Sequence, residues 1–337
     1  MLTTKAPHAF TKLSPAKPSV VYDTYWRFAA ERQAIFFRRF SGQTFPWTQD
    51  PILVDYKFTN AYRASDRGSQ YLIRSVIYEG SQTTDEVLFR VLLFKLFNRI
   101  ETWELLVREI GQPTWREFSV QRYGAVLGRE LARGIPIYSA AYIMPPGPKG
   151  TPGARKHESH LRLLETMMQD GLANRVGFAK NMRTVFEILK SYPTIGDFLA
   201  YQYTTDINYS ELTHFTEMEF VVPGPGARNG LRKCFRDLGG LSEPDILRLV
   251  ADRQELEFGR LGLHFRTLWG RRLQLIDCQN LFCEVDKYSR VAHPEIAGPS
   301  HRKRIKQHFR PNDQTIAYWY PPKWGINDRV AAYPTFS

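Results

Sequence analysis

The feature that most restricts the fold is the repetition of apolar residues at helical spacing along most of the 337 residues. The clearest segment is TTDEVLFRVLLFKLFNRI at 83–100, where Asp85 and Glu86 suit the first turn of a helix and an almost unbroken apolar run follows. This run predicts a buried central helix. The same spacing predicts further helices at 22–40, 60–80, 101–111, 119–134 and 242–258. Strand signals are few and short, so we expect a mainly α fold.

The charge balance indicates the kind of partner. The chain carries a formal net charge of +12, which favours a polyanion, either nucleic acid or an anionic membrane. The sequence shows neither an apolar run of about 18 residues nor a signal-peptide pattern, so we expect nucleic acid and no membrane. The three cysteines, Cys234, Cys278 and Cys283, form no C-x-x-C pair. An odd number of unpaired cysteines is typical of a reducing cytoplasm and predicts neither a zinc site nor a disulfide framework.

Proline and glycine residues indicate how the chain is divided. We expect a flexible N-terminal arm at 1–20 and a single helical catalytic and DNA-binding domain at 21–292. The stretch MPPGPKGTPGARK at 144–156 predicts a surface loop within that domain, because helical patterns resume on both sides of it. The remainder, 293–337, predicts a basic, irregular tail that packs on the domain.

A glycine-rich turn lies in the segment VVPGPGARNGLRK at 221–233. A helix ending near Phe220, a turn and a second, basic helix would have the shape of a helix-hairpin-helix DNA-binding element. The amides of such a turn can hold a backbone phosphate without reading sequence. The candidate DNA-binding residues are Gly224, Gly226, Ala227, Arg228, Arg232 and Lys233. The alternative is an ordinary turn between helices, in which glycine only ends the first one.

The segment FCEVDKYSRV at 282–291 sets acidic residues among apolar ones. A partly buried carboxylate beside a cation is the arrangement that tunes an acid or base. Asp286, Glu284 and Lys287 are therefore candidate catalytic residues. A solvated salt bridge to Arg290 or Lys287 is the alternative.

A polar pattern in the segment 46–73 suits an anion. Asn60, Arg63, Arg67 and Gln70 would share one face of a helix, and guanidinium groups make forked bonds to phosphate or pyrophosphate. A solvated face neutralised by Asp66 is the alternative. Polar positions within apolar surroundings add Asp206, Asn208 and Asp277 as further candidates, although Asp206 could equally cap a helix.

The tract VDKYSR at 285–290 resembles the V-D-x-x-V-x-R stretch of helix-hairpin-helix DNA glycosylases, with Asp286 in the position of the Asp that works at the flipped nucleotide. About sixty residues separate the hairpin from Asp286 here, so the resemblance implies a glycosylase-like helical fold with an inserted helix at 242–258. No lysine stands where lyase-type glycosylases place their amine nucleophile.

A longer set of motifs resembles one family. The set comprises PWTQDPIL, FTNAYRASDRGSQYL, DINYS at 206–210, GPGARNG and DCQNLFCEVDKY at 277–288, so the resemblance extends from about Tyr25 to Arg290. It is similar to the alpha-glutamyl/putrescinyl thymine pyrophosphorylase family, which shares a helical domain with the 5-hydroxymethyluracil DNA kinases. That family belongs to DNA base hypermodification systems of phages and bacteria.

The resemblance implies a transferase that displaces pyrophosphate from 5-(pyrophosphoryloxymethyl)uracil in DNA with an amine or amino acid, on a flipped-out base. The face of Asn60, Arg63, Arg67 and Gln70 would hold the pyrophosphate, and Asp286 or Glu284 would take the ammonium proton. Lys287 would pair with the carboxylate or the phosphate. The expected partners are DNA carrying modified pyrimidines and a small amine co-substrate. No cofactor is expected, although a pyrophosphate substrate can bring magnesium.

Two other functions stay open on the residues alone. The first is a glycosylase that acts on a modified or damaged base. The second is a non-catalytic module that binds modified DNA.

Overall fold

A computed structural model describes residues 15–140, 144–145, 155–311 and 316–333. In these ranges the fold is mainly α, as expected from the apolar spacing. The helices are α1 (Val20–Phe40), α2 (Pro51–Asp55), α3 (Arg67–Tyr71), α4 (Thr84–Phe97), α5 (Ile100–Ile110), α6 (Val120–Ala132), α7 (Lys156–Gln169), α8 (Leu172–Gly177), α9 (Met182–Lys190), α10 (Asp197–Ile207), α11 (Pro225–Cys234), α12 (Glu243–Asp252), α13 (Gln254–Arg260), α14 (Leu275–Ala292) and α15 (Asn327–Ala331). Two short antiparallel strands, β1 (Lys17–Pro18) and β2 (Phe235–Asp237), join the start of α1 to the end of α11. No helix in the described ranges combines the length and apolarity needed to cross a bilayer.

The core forms around α1, α4 and α14. Every residue of α4 from Val87 to Phe97 is buried, as the unbroken apolar run predicts. Helix α14 packs against both α1 and α11, and its interface with α11 is the more extensive of the two. A Cβ atom at Gly230 would overlap the carbonyl oxygen of Phe282, and one at Gly226 would overlap the Cys283 thiol. These two glycines are therefore needed because the two helices approach so closely.

The predicted helix at 60–80 is wrong in its first part. The chain from 60 to 66 is irregular apart from a single 3-10 turn at Arg63–Ser65. Helix α3 begins only at Arg67 and continues as a π-helix over Leu72–Ile77, so the later part of the prediction is helical. The Asp66 carboxylate accepts a hydrogen bond from the Asn60 backbone N–H (2.8 Å), and the Asn60 amide donates to the Ser65 carbonyl (2.7 Å). Such side chain–backbone bonds compete with the helical ladder.

The predicted helix ending near Phe220 is also wrong. Helix α10 ends at Ile207, and non-helical chain continues to Gly224 before α11 begins. The Asn208 side chain holds the first part of this segment in place, because its Oδ1 accepts hydrogen bonds from Thr213 Oγ1 (2.9 Å) and Phe215 N (3.1 Å). The expected helix-hairpin-helix element is therefore absent from the described residues at this position. The predicted inserted helix appears as two helices, α12 and α13.

The described part of the tail lies on the helical body. Tyr320 is fully buried, and its hydroxyl is 2.9 Å from that of Ser65. The Trp319 backbone N–H donates to Gln70 Oε1 (2.8 Å), and Lys323 donates to the backbone of Ser210 (2.6 Å). Most of the predicted arm and most of the predicted loop at 144–156 lie outside the described residues.

Candidate functional site

Asp286 lies in a buried cluster of three charges. Its carboxylate is 3.0 Å from Lys233 Nζ on α11 and 2.6 Å from Arg290 Nη2 on its own helix. The Asp286 and Lys233 side chains are each only 2% exposed. Lys233, which was predicted to contact DNA, therefore points inward. The ion pair that Asp286 forms is buried, so it is not the solvated salt bridge that the sequence left as an alternative.

The other candidates from the glycine-rich turn differ in exposure. Ala227 is fully buried, Gly224 is buried, and Gly226 faces α14. Arg228 and Arg232 are exposed, and each lies 3.4 Å from the Glu243 carboxylate. The residues predicted to grip a phosphate thus divide between a helix-packing interface and the surface.

Glu284 and Lys287 connect α14 to the segment that precedes α3. Glu284 Oε2 accepts a bond from the Thr59 backbone N–H (3.1 Å) and lies 2.7 Å from Lys287 Nζ. Lys287 also donates to the Lys57 carbonyl (2.8 Å), with its ammonium 4.6 Å from the centre of the Phe58 ring. The Glu284 and Lys287 side chains are only 11% and 18% exposed, so this ion pair is not the solvated salt bridge that the sequence left as an alternative. With the two bonds to backbone groups, it fixes residues 57–59 against α14.

The predicted pyrophosphate-binding residues do not share one helical face. Arg63 is buried and donates to Asp206 Oδ1 (2.7 Å), while Lys95 Nζ lies 3.1 Å from Asp206 Oδ2. Gln70 is buried and bonds to the Ala64 carbonyl (2.7 Å). Asn60 bonds within its own turn, and Arg67 is exposed at the start of α3. The irregular chain at 60–66 turns these side chains in different directions.

Asp206 and Asp277 are interior acids. Burial by itself would raise the pKa of Asp206, but Arg63 and Lys95 together lower it below its ordinary value. Asp277 accepts bonds from the backbone N–H groups of Arg63 (2.8 Å) and Gln274 (3.0 Å). Burial nevertheless raises the pKa of Asp277 to about 7. Through these bonds, both acids connect the segment around Arg63 to helices of the core, Asp206 from α10 and Asp277 from α14.

A cavity of about 900 Å³ lies beside the C-terminal end of α14. It falls within the size range of pockets that hold small ligands. Its wall combines one face of α1, the loop at 43–50 and the end of α14. The lining residues include Thr24, Arg27, Phe28, Glu31, Arg38, Trp47, Asp50, Tyr288 and His293. The sequence analysis singled out none of these as site residues, although the quoted motifs PWTQDPIL and DCQNLFCEVDKY contain Trp47, Asp50 and Tyr288.

Hydrogen bonds hold the polar groups of the cavity in place. Tyr288 donates to Asp50 Oδ2 (2.6 Å), while Asp50 Oδ1 caps α2 by accepting from the Ile52 and Leu53 N–H groups. Burial, with the bond to Asp50, raises the pKa of Tyr288 above its ordinary value, so its hydroxyl stays protonated. Arg38 donates to Glu31 (2.8 Å). The cavity thus combines aromatic walls with two acids and one arginine, Arg38, that are held by hydrogen bonds.

The side chains that could bind a metal ion are those of His, Cys, Asp and Glu. Within the described ranges, the His, Cys, Asp and Glu side chains form no group of three or more that could hold a metal ion. The acids Glu31 and Asp50 in the cavity wall are bonded to Arg38 and Tyr288, respectively.

The mainly α body matches one known protein family. The family described as "5-hmdU DNA kinase, helical domain" matches residues 19–298, a range that contains α1 to α14. The chain therefore belongs to this helical-domain family, and the resemblance to a domain shared with hydroxymethyluracil DNA kinases is confirmed.

One relative has a curated activity. The chain is 28% identical over 308 residues to a 5-hmdU DNA kinase of Bacillus phage SP10. The match covers 85% of this chain and 48% of the relative, so the chain spans about half the length of that protein. No solved structure matches the chain.

Proposed function

We propose that the protein acts on modified thymine in DNA. In the proposed reaction, an amine or amino acid displaces pyrophosphate from 5-(pyrophosphoryloxymethyl)uracil. The observation that carries this proposal is the cavity, because its volume and its aromatic, acidic and cationic lining suit a flipped pyrimidine with an anionic substituent. The helical-domain family and the net charge of +12 support a DNA substrate.

The lining residues take distinct roles in this proposal. Trp47 and Tyr288 stack on the base, and the buried Phe28 ring supports Tyr288 from behind. Arg27 and Arg38 face the pyrophosphate and neutralise the charge that it gains on leaving. The amine nitrogen bonds to the 5-methylene carbon as the carbon–oxygen bond breaks and its electrons leave with pyrophosphate. Glu31 or Asp50 accepts the nitrogen proton.

In this proposal the catalytic candidates from the sequence, Glu284, Lys287 and Asp286, do not react with the substrate but hold the cavity wall and α14 in position. Glu284, Lys287 and Tyr288 lie on one side of α14 at spacings of three and four residues. The Phe58 ring, under Lys287, packs against both Phe28 and Tyr288 of the cavity wall. We propose that Glu284 and Lys287 position this wall, and that Asp286 holds α14 against α11.

Phosphoryl transfer is a second candidate, because the curated relative is a 5-hmdU DNA kinase. The 337-residue sequence contains no G-x-x-x-x-G-K-[ST] motif, the common backbone cradle for nucleotide phosphates. We favour the displacement reaction because the motifs from PWTQDPIL to DCQNLFCEVDKY resemble the pyrophosphorylase family.

The reaction is tested by incubating the protein with a duplex that carries one 5-(pyrophosphoryloxymethyl)uracil and with a mixture of amines. The expected result is an amine adduct in the nuclease-digested nucleosides, measured by mass spectrometry, with release of one pyrophosphate per adduct. Abasic sites would instead indicate a glycosylase. Phosphorylation of 5-hydroxymethyluracil DNA by ATP would indicate a kinase. Either of these results without an adduct would overturn the proposal.

Trp47→Ala tests the assignment of the cavity. Loss of one stacking side chain should lower kcat/KM about five- to 150-fold, from about 1–3 kcal/mol of base stacking. Trp47→Phe should keep most of the activity. The matched control is Trp115→Ala, which removes another partly buried tryptophan, packed on Phe89 and Phe118 outside the cavity lining. Equal losses in Trp47→Ala and Trp115→Ala would contradict the assignment.

A further inference from the structure

One aromatic ring projects into solvent from the turn between α8 and α9. Phe178 is 85% exposed, more than any other large apolar side chain in the described ranges. Water-exposed aromatic surface of this size has a hydrophobic cost that a planar partner would remove.

The backbone beneath this ring is held firmly. The Phe178 N–H donates to the Asn174 carbonyl (2.9 Å), and the next N–H, of Ala179, donates to Val176 (3.1 Å). Val176 and Met182, on either side of the turn, are buried in the core. The ring is therefore presented by a fixed turn.

The surroundings of the ring are basic. Between residues 174 and 190 the chain carries four cations, Arg175, Lys180, Arg183 and Lys190, against a single acid, Glu187. A groove of about 380 Å³ begins at Arg183, five residues after Phe178. Its lining contains the cations Arg183, Lys190, Arg228 and Arg248 and the acids Asp197 and Glu243.

The interactions of these cations leave them able to meet a phosphate. Lys190 pairs with Asp197 (2.8 Å) and Arg228 with Glu243 (3.4 Å), with 44% and 54% of the two cationic side chains exposed. Arg248 pairs with Asp245 (3.0 Å), and 35% of its side chain is exposed. Ion pairs in this setting are weak, so a phosphate can compete for the cation. The Arg183 guanidinium lies over the Phe220 ring at 4.9 Å.

From the exposed ring and the cationic groove together, we infer that this surface binds a DNA duplex, with phosphates in the groove and Phe178 stacked on or inserted between bases. Five residues of chain reach at most about 18 Å, so the ring and the groove can meet the same short stretch of duplex, whose major groove is about 12 Å wide. Met182 N–H donates to Glu219 (3.2 Å), which ties the start of α9 to the segment that lines the groove. Apolar side chains inserted between base pairs unstack and kink DNA in this way.

This inference rests on the proposed function only in taking DNA as the partner. The experiment uses the full chain and an unmodified 20-base-pair duplex that contains a single 2-aminopurine. Anisotropy measures affinity, and 2-aminopurine fluorescence reports loss of base stacking. Phe178→Ala should weaken affinity about five- to 150-fold and abolish the fluorescence change, whereas Phe178→Trp should preserve both.

The groove is tested by its salt dependence. Arg183→Gln combined with Arg248→Gln should reduce the slope of log affinity against log salt by about 0.9 for each phosphate that the protein no longer neutralises. Two matched controls change exposed residues elsewhere, Leu256→Ala on α13 (58% exposed) and Arg329→Gln on α15. Both controls should bind DNA as the unaltered protein does.

Unchanged affinity and fluorescence in Phe178→Ala would overturn the inference, as would equal weakening by Leu256→Ala. A changed oligomeric state in Phe178→Ala with unchanged DNA binding, seen by light scattering, would also overturn it and indicate contact between copies of the chain. Adduct formation on a short single strand should survive Phe178→Ala. Failure of the chemistry and failure of this surface are therefore distinguishable.

Discussion

Replacement of Asp286 by Asn distinguishes a buried structural charge from a reacting base. The carboxylate lies 3.0 Å from Lys233 and 2.6 Å from Arg290, with the Asp286, Lys233 and Arg290 side chains 2%, 2% and 11% exposed. A neutral amide of the same shape leaves both cations without their counter-charge. The change should therefore reduce the free energy of unfolding.

The size of the effect follows from the hydrogen bonds that remain. Removing one partner of a buried ion pair costs about 3–5 kcal/mol. Lys233 keeps its bonds to the Asp286 carbonyl (3.0 Å) and Ser289 Oγ (3.1 Å), and Arg290 keeps the Arg304 carbonyl (3.1 Å). We therefore expect the lower end, about 3 kcal/mol. At about 2 °C per kcal/mol for a chain of this size, Tm should fall by about 6 °C.

Thermal unfolding followed by circular dichroism measures this shift. Asp286→Leu combined with Lys233→Met should recover at least half of the loss, because apolar residues of similar volume leave no uncompensated charge in that pair. Glu255→Gln removes the exposed partner of Arg272 and should shift Tm by less than about 2 °C. An Asp286→Asn variant with unchanged Tm and no activity would refute the reasoning and identify Asp286 as the reacting base.

Two further predictions concern the core. Gly230→Ala should destabilise the protein by about 2 kcal/mol or more, because the new methyl group meets the Phe282 backbone. Gly259→Ala, with open space around it, is the control and should raise stability by about 0.5–1 kcal/mol. Equal Tm values for the two variants would contradict the close approach of α11 and α14. Burial raises the pKa of Asp277 to about 7 in the folded chain, above the unfolded value of about 3.9, so its stabilising contribution is complete below about pH 4 and is lost as pH rises towards and past 7. In Asp277→Asn the fall of Tm between pH 4.5 and 7.5 should be shallower than in the unaltered protein; parallel curves would show that Asp277 does not titrate there.

The helices could largely be predicted from local spacing. The predictions for 22–40, 101–111 and 119–134 fall within two residues of the observed bounds of α1, α5 and α6. The spacing failed at 60–66, where Asn60 and Asp66 bond to the backbone instead of continuing a helix. Apolar periodicity reports which side of a helix is buried, but it does not report local polar bonds that replace the helix.

The directions in which the charged candidates Asp286 and Glu284 point could be found only from the tertiary structure. The sequence indicated correctly that Asp286 and Glu284 would have cationic neighbours. It did not reveal that Asp286 meets Lys233, 53 residues away, or that Glu284 meets the Thr59 N–H, 225 residues away. The glycines at 226 and 230 are explained by the crossing of α11 and α14, which no local pattern encodes.

The amino-acid sequence by itself determined the helical class, the basic charge and the family resemblance, because these depend on composition and on residues close together in the chain. Only the tertiary structure decided that Trp47 and Asp50 share a cavity with Tyr288, while Arg63 and Asp206 neutralise each other in the interior. The physical reason is that a side chain's access to solvent depends on which distant segments cover it. Helical spacing sets the direction in which a side chain leaves its own helix, and packing between helices decides what it meets there.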